Sequence, residues 1–433
     1  MRALWVIAGC VALLAALGSW WWAMRPGPPP SAQAAAPAPV RTLLVGDPFA
    51  PIVEREAAQL LAPLGLGALF ERAGYDAIRQ SILAELQAPS GQVELVAFDV
   101  VWTAELAERG ALLPLDELCQ RAGLDPAAYI PAAIAGARWR GRLYGLPIQP
   151  HAELLWLRRD LLEQVGGSAP RTPQELLALA RQLHRPTAGI YGIVWNAQRG
   201  SALGQSMAHF YAAFGQPLLD AQGRPTLDGP RAVEALRFAC ELVPLSPPDI
   251  LNTAWDQRRR RFIAGQAAIA YEWGARMGEG LLSPECQVRG QVLCAPPPVA
   301  EGVRRVAPFG TWCLGIIASV PPARQEAVWR ALIALCGPQG ARRFARAGNA
   351  GVPLTALFAD EELGAPYAGL FPVMRQLIAA EAFDPAVRPA TPQWDPLCRL
   401  LGEVYHDALQ GRLAPEEAVA EAQRRALALW PQP

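Results

Sequence analysis

Short apolar runs and stretches of helical periodicity alternate along this chain from Arg41 onward. TLLVG (42–46) and VELVAF (93–98) are typical of buried strands, and AAQLLAPL and YDAIRQSILAELQ, which lie between them, have helical spacing. Strands that alternate with helices favour an α/β fold with mostly parallel sheets. The chain has 433 residues, 52% of them hydrophobic, so it can bury two cores of ordinary size, and we expect two lobes.

Three later helices have recognisable starts. TPQE (172–175) offers Thr at the N-cap, Pro at the first helical position and Glu three residues after the cap. Amphipathic helices are also predicted after Asp228-Gly229-Pro230 and from Pro415. VVWTAELAERGALLPLDELC predicts a further helix, which ends at Gly110.

Residues 3–24 form one apolar stretch between Arg2 and Arg25, long enough to cross a bilayer as a helix. The chain is therefore expected to be exported, to the periplasm or the outer face of the cytoplasmic membrane. An uncleaved anchor, a signal cleaved near Ala32-Gln33-Ala34 and lipidation at Cys10 remain alternatives. Residues 25–40 are rich in Pro and Ala, which predicts an extended tether.

The charges of the chain exclude several function classes. Basic and acidic side chains balance at 39 each, so no net field favours nucleic acid as a partner. Every basic residue is Arg. Without Lys, the chain cannot form a P-loop, a Schiff base or a Ser-Lys catalytic pair.

No motif selects a metal, a cofactor or a catalytic residue. The four histidines are scattered and form no HExxH, and no Ser lies at the centre of a GxSxG elbow. A glycosidase pair among the 39 acidic residues stays an open alternative. The eight cysteines contain no CxxC spacing, which favours buried thiols, although some pairing stays possible.

Tryptophan is unusually frequent, with 14 residues. Several lie beside Gly, Pro or a charge in predicted loops: Trp102, Trp195, Trp273, Trp312 and Trp394. An indole face matches the apolar CH face of a sugar, and Asp, Arg and Asn side chains match its hydroxyls. Each Trp has a core position as its alternative. Asp99 is either a ligand contact or a helix cap, and Arg388 either a ligand contact or a surface residue.

Five segments, in order along the chain, carry a family resemblance. They are FDVVWTAELAERGALLPLDEL (98–118), RLYGLPIQPHAELLWLRRDLLEQVG (142–166), RFIAGQAAIAYEW (261–273), APFGTWCLGI (307–316) and RPATPQW (388–394). Together they resemble the extracellular solute-binding proteins of carbohydrate ABC importers, the maltose-binding-protein-like family, and within it the trehalose/maltose-binding subgroup. Trp156-Leu157, TPQEL (172–176), Gly200-Ser201 and Ala275 depart from the family pattern.

The resemblance implies a set of residues that line a sugar site. They are Asp99, Trp102, Trp273, Gly310, Thr311, Trp312 and Arg388. It also implies a two-lobe periplasmic-binding-protein fold of the class II type, with a hinge and a ligand cleft between the lobes. After the apolar stretch (1–24) and the linker (25–40), we expect one lobe from residues 41–148 plus 294–323 and the other from 149–293 plus 324–433.

The implied function is that of a monomeric, non-enzymatic protein that binds a carbohydrate ligand and delivers it to the membrane subunits of an ABC permease. A di- or oligosaccharide such as trehalose or maltose is the expected ligand, without metal or cofactor. The N-terminal stretch makes association with the membrane possible. Two alternatives remain open: a membrane-tethered sugar sensor and a glycan-active enzyme.

Overall fold

Strands and helices alternate along most of the chain that the computed structural model describes, residues 38–87 and 91–430. The strands are β1 (Val40–Val45), β2 (Ala68–Ala73), β3 (Leu95–Asp99), β4 (Arg138–Trp139), β5 (Arg142–Leu143), β6 (Leu146–Arg158), β7 (Tyr191–Val194), β8 (Ala267–Trp273), β9 (Val292–Ala295) and β10 (Phe309–Ile316). The helices as far as β8 are α1 (Ala50–Leu61), α2 (Tyr75–Gln87), α3 (Thr103–Glu108), α4 (Asp116–Ala122), α5 (Pro131–Gly136), α6 (Arg159–Gln164), α7 (Pro173–Leu183), α8 (Ser201–Ala213), α9 (Pro230–Leu242) and α10 (Trp255–Ile263). Those after β8 are α11 (Gly274–Leu282), α12 (Pro322–Cys336), α13 (Pro338–Arg346), α14 (Glu361–Gly364), α15 (Leu370–Ala379), α16 (Trp394–Leu409) and α17 (Pro415–Leu429).

The long strand β6 is shared by two groups of strands. The order across the sheet is β2-β1-β3-β10-β6-β8-β7, and β9 also pairs with β6. Residues 146–152 of β6 pair with β10, whereas residues 153–158 pair with β8 and β9. The neighbours of β6 therefore change between Ala152 and Glu153. The lobe boundaries at 148/149 and 293/294 stay a prediction.

The prediction of mostly parallel sheets is wrong, because the sheet is mixed. β1 is parallel to β2 and β3, and β7 is parallel to β8. The pairs that β6 makes with β8, β9 and β10 are all antiparallel, as is the pair between β3 and β10. The strands β8, β9 and β10 all run in the direction opposite to β6, and β10 also runs opposite to β3.

The predicted helix starts are confirmed at three places. The Thr172 hydroxyl accepts a hydrogen bond from the Glu175 amide at 3.2 Å, and α7 begins at Pro173. α9 begins at Pro230 and α17 at Pro415, as their patterns predict. The helix predicted to end at Gly110 is the short α3, and Gly110 takes a left-handed conformation (φ 66°) after it.

The predicted membrane segment and most of the linker lie outside the described residues. Among the helices of residues 38–87 and 91–430, none combines the length and the apolar character that a membrane span requires. The cysteines at 119, 240, 286, 294, 313, 336 and 398 are free thiols, and all except Cys240 and Cys286 are buried. This agrees with the prediction of buried thiols.

Candidate functional site

A cavity of about 380 Å³ lies where several strands of the two groups end. Val45 ends β1 and is followed by Gly46 and Asp47, Asp99 ends β3, and Trp273 ends β8. Because backbone groups and side chains converge at the carboxyl ends of parallel strands, this edge of an α/β sheet is the usual place for a ligand. Four of the seven predicted site residues line the cavity: Asp99, Trp273, Trp312 and Arg388.

Asp99 and Arg388 form a buried ion pair in the cavity wall. Nη2 of Arg388 lies 2.7 Å from Oδ2 of Asp99, and Nη1 lies 3.4 Å from Oδ1, a two-pronged contact. The Tyr75 hydroxyl also donates to Asp99 Oδ2, at 3.0 Å. Burial lowers the pKa of Arg388, but the charge of Asp99, the charges of Tyr75 and Cys398 and the hydrogen bond to Asp99 together outweigh burial and raise the pKa. Asp99 makes no side-chain cap and Arg388 is buried, so the capping and surface alternatives are wrong.

Gly310 allows the arginine to come this close. A Cβ atom at position 310 would lie 2.6 Å from Nη1 of Arg388 and 3.1 Å from Nε2 of His151. Nη1 also donates to the carbonyl of the preceding residue, Phe309, at 3.3 Å. The glycine of the Phe-Gly-Thr-Trp sequence therefore gives the guanidinium its space beside β10.

Trp312 both lines the cavity and belongs to a buried aromatic cluster. Its ring meets Trp102 and Tyr75 edge-on, each at 5.9 Å between centroids, and Tyr75 lies 5.3 Å from Trp255. Its Nε1 donates to Oδ2 of Asp47 at 3.0 Å. Only 4% of the residue is exposed. Trp312 therefore belongs to the core and to the cavity wall at the same time, because the aromatic cluster borders the cavity.

Trp273 is held in place from three sides. Its backbone amide donates to Oε1 of Glu272 at 2.9 Å. The rings of His151 and His209 lie 4.7 and 5.4 Å from its indole, and the Arg388 guanidinium lies 5.3 Å from it. Cation–π attraction to the guanidinium favours this position of the ring. A flat ligand group that stacked on the indole would therefore meet a wall with little freedom to move.

The other three predicted site residues lie behind the cavity wall. Trp102 is 1% exposed and packs against Trp312 and Tyr75. Gly310 contributes space for Arg388, and the Thr311 hydroxyl is buried with no hydrogen-bond partner among the described residues. Direct contact of Trp102, Gly310 and Thr311 with a ligand stays a prediction.

Sequence reasoning missed a second ion pair of the cavity, between Arg276 and Asp47. Arg276 extends from α11, and Nη1 pairs with Asp47, which follows β1. Nη2 lies 2.5 Å from Oδ1 of Asp256. Asp47 directly follows the apolar run 42–46 and belongs to no recognised motif, and an arginine inside a helix gives no local signal. Tyr75, His151, Gln205 and Trp255 also line the cavity and were not predicted.

Two buried titratable groups near the site have shifted pKa values. Burial lowers the pKa of His151 well below its ordinary value, and the charges of Arg388, Arg276 and Arg258 lower it further. The imidazole is therefore neutral at neutral pH. Burial, helped by the negative charge of Asp47, raises the pKa of Glu279 to about 8. Gln149 of β6 donates to Glu279 at 2.8 Å.

Comparisons with known proteins agree with this architecture. A family model for bacterial extracellular solute-binding proteins matches residues 70–323. The mannitol-binding protein of Pseudomonas aeruginosa is 25% identical over 367 residues, which are 80% of this chain and 82% of that protein.

Two solved structures are similar over nearly the whole described chain. One is an ABC transporter solute-binding protein from Agrobacterium radiobacter K84 in complex with ribitol, with a TM-score of 0.84 at 26% identity; the match covers 90% of this chain and 98% of that one. The other is maltose-bound MalE3 of T. maritima, with a TM-score of 0.81 at 23% identity, covering 90% and 100%. These likenesses confirm the predicted two-lobe fold.

Proposed function

This chain belongs to the bacterial extracellular solute-binding proteins, and from that premise we propose that it binds a small sugar or sugar alcohol in the cavity between β1, β3, β8 and β10. The observation that supports this most directly is the pairing of two indoles, Trp273 and Trp312, with the Asp99–Arg388 ion pair in one cavity wall.

The chemistry of the wall suits a polyhydroxyl ligand. The indole faces can cover the apolar CH groups, while Asp99 accepts from one hydroxyl and Arg388 donates to its neighbour. An aromatic contact of this kind contributes about 0.5–1.5 kcal/mol, and a hydrogen bond to a charged group about 1.5–3 kcal/mol. Several such contacts, less the cost of association, lead us to expect a Kd of about 1 μM, which corresponds to about 8 kcal/mol.

The size of the cavity favours a small ligand. Its volume of about 380 Å³ is near the lower end of the range of about 300–1,000 Å³ for ligand pockets. The names of two relatives support the same choice, since one is a mannitol-binding protein and the other holds ribitol. The disaccharides trehalose and maltose remain the second candidate, supported by the sequence motifs that resemble that subgroup.

We further expect the ligand to be delivered to an ABC permease rather than converted. A relative that is 25% identical over 312 residues is named a probable ABC transporter-binding protein. Closure of the two predicted lobes about the strands that cross between them would present the loaded protein to the membrane subunits. Monomeric state and membrane attachment through residues 3–24 are parts of this proposal. A tethered sensor is the alternative, and a neighbouring gene for a kinase instead of permease subunits would favour it.

Calorimetric titration of the purified protein with mannitol, ribitol, glucose, trehalose, maltose and sucrose tests the proposal. We expect one ligand class to bind with 1:1 stoichiometry, and the recovered ligand to be chemically unchanged. The variant Arg388→Met, which removes the charged donor of the wall, should bind that ligand weakly. Absence of binding across the whole panel would refute the carbohydrate function, and turnover of a ligand would establish the enzymatic alternative.

A further inference from the structure

Both arginines of the cavity are already paired with carboxylates. The two terminal nitrogens of Arg388 contact Asp99. Those of Arg276 contact Asp47 and Asp256. A ligand that entered the cavity would therefore find no guanidinium whose charge is uncompensated.

Carboxylates outnumber guanidinium groups among the residues that line the cavity. Asp47, Asp76, Asp99 and Asp256 carry negative charge, whereas only Arg276 and Arg388 carry positive charge. The two extra carboxylates are balanced by arginines outside the lining. Arg399 pairs with Asp76 at 2.5 Å, and Arg259 lies 3.8 Å from Asp256. The field inside the cavity therefore offers nothing to attract an anion.

An anionic ligand could use the two terminal nitrogens of Arg388 only by displacing Asp99. The Asp99 side chain is 8% exposed and is held by Arg388 and by the Tyr75 hydroxyl. A displaced Asp99 would stay buried without its cation, which is strongly unfavourable. A neutral hydroxyl needs no such displacement, because it both donates and accepts. Nε of Arg388 and Nδ1 of His151 are buried and find no hydrogen-bond partner among the described residues.

We infer that Asp99 determines the charge selectivity of the site: by occupying Arg388, it restricts the cavity to uncharged sugars and polyols and rejects the corresponding sugar acids and sugar phosphates. This inference rests on the proposed function and narrows it. Asp47 and Asp256 together have the same role toward Arg276. By occupying the arginines, these aspartates exclude charged ligands, in addition to any contact that they make with the neutral ligand.

The test compares a neutral ligand with its own carboxylic acid. The neutral member is the best ligand of the calorimetric panel, and the other is the same molecule with its terminal CH₂OH oxidised to a carboxylate. Both are titrated into the wild type, Asp99→Asn and Asp395→Asn. Asp395 is the matched control because it pairs with Arg399 at 3.1 Å and does not line the cavity. Its substitution changes the net charge equally without freeing Arg388.

We expect the wild type to prefer the neutral ligand by at least about 100-fold. In Asp99→Asn the freed arginine should bind the acid, so that this preference falls by at least about tenfold, while Asp395→Asn keeps the wild-type ratio. Melting curves verify that each variant is folded. If Asp99→Asn does not fold, Asp47→Asn takes its place, since it frees Nη1 of Arg276, while Nη2 stays paired with Asp256, and it leaves an amide oxygen for the Trp312 indole.

Three results would overturn the inference but not the proposed function. One is equal binding of both ligands by the wild type, which would leave the proposed carbohydrate function intact. Another is an unchanged preference in the folded Asp99→Asn or Asp47→Asn variant. The third is an equal shift in Asp395→Asn, which would assign selectivity to net charge. If neither the neutral ligand nor the acid binds to the wild type, both the proposed function and the inference are refuted.

Discussion

The indole nitrogen of Trp312 donates a hydrogen bond to Oδ2 of Asp47 at 3.0 Å, which ties β10 to the loop after β1 across 265 positions of sequence. Both residues line the cavity. Asp47 also accepts from Arg276, so the indole, the carboxylate and the guanidinium form one connected wall. A change at Trp312 therefore reaches both the packing and the polar groups of the site.

Replacement of Trp312 by Ala should reduce both stability and affinity. The ring is 4% exposed and packs against Trp102 and Tyr75, so its loss leaves a cavity that costs about 3–5 kcal/mol of unfolding free energy. Loss of the indole from the binding wall should weaken ligand binding by about 2–4 kcal/mol. Thermal melting and calorimetric titration of the same variant measure the two effects.

The matched variant is Trp312→Phe, which keeps an aromatic face but removes the donor to Asp47. Because Asp47 keeps Arg276 as a partner, we expect a smaller loss of stability, about 1 kcal/mol. Large destabilisation of Trp312→Ala with full affinity in the folded fraction would show that the residue serves the core alone.

Trp273 should report ligand binding through its fluorescence. Its indole lines the cavity beside His151 and Arg388, so a bound ligand changes its surroundings directly. We expect ligand to quench or shift the emission of the wild type, and this change to diminish strongly in Trp273→Phe. Trp195→Phe is the control, because Trp195 is fully buried, donates to the Ser246 hydroxyl and does not line the cavity. A signal that survives in Trp273→Phe and disappears in Trp195→Phe would contradict this assignment.

The parts of the fold that the sequence predicts are those with local causes. The cap at Thr172 uses residues three positions apart, and α7 begins where the pattern places it. β2 was missed because no residue of ALFERA is fully buried, and the segment contains charges that favour a surface. The direction of β10 has no local signal either, because it depends on which neighbours β3 and β6 leave open.

The site shows the same division. The family motifs identified Asp99 and Arg388, which are 289 positions apart, but nothing in the residues themselves indicates that they pair. The pair of Asp47 and Arg276 was missed because neither residue lies in a recognised motif and 229 positions separate them. The contact between Asp47 and Arg276 depends on how β1 and α11 pack in the tertiary structure. The spacing of apolar residues along the chain does not indicate this packing.

A third prediction concerns Arg258, which has no exposed surface and supports the wall from behind. Nε and Nη2 each lie 3.0 Å from a carboxylate oxygen of Glu272, and Nη1 lies 2.5 Å from Glu153. Glu272 in turn accepts from the amide of Trp273. Arg258→Met leaves the buried Glu153 without a guanidinium and Glu272 with only the more distant Nε of Arg276, at 3.8 Å. The substitution should therefore cost about 3–5 kcal/mol of unfolding free energy.

The control for Arg258 is Arg181→Met. Arg181 pairs with Glu241 at 2.5 Å, but both side chains are more than half exposed, so we expect a loss below about 1 kcal/mol. Denaturant unfolding measures both variants. Similar losses of unfolding free energy in the two variants would show that the buried ion pairs of Arg258 stabilise the fold no more than the exposed pair of Arg181.

A final prediction follows from the raised pKa of Glu279, which burial, with a further contribution from Asp47, moves from an ordinary value of 4.5 to about 8. Between these two values the folded protein holds a proton on Glu279 that the unfolded chain has lost. Unfolding therefore releases this proton, and the contribution of Glu279 to the free energy of unfolding decreases as the pH rises from about 4.5 to 8.

Glu279→Gln removes this titration while it keeps the size of the side chain and an oxygen that can accept from Gln149. The histidines His151 and His209, whose pKa values are lowered by burial, give the opposite slope below about pH 6.5 in both proteins. The difference between the variant and the wild type cancels their contribution. We expect the stability of Glu279→Gln relative to the wild type to increase steadily from pH 5 to pH 8 in denaturant unfolding. Only the wild type releases a proton from position 279 when it unfolds, so only its stability falls for this reason as the pH rises. A difference that stays constant across this range would mean that Glu279 titrates alike in the folded and unfolded chain, and that its hydrogen bond to Gln149 of β6 does not depend on pH.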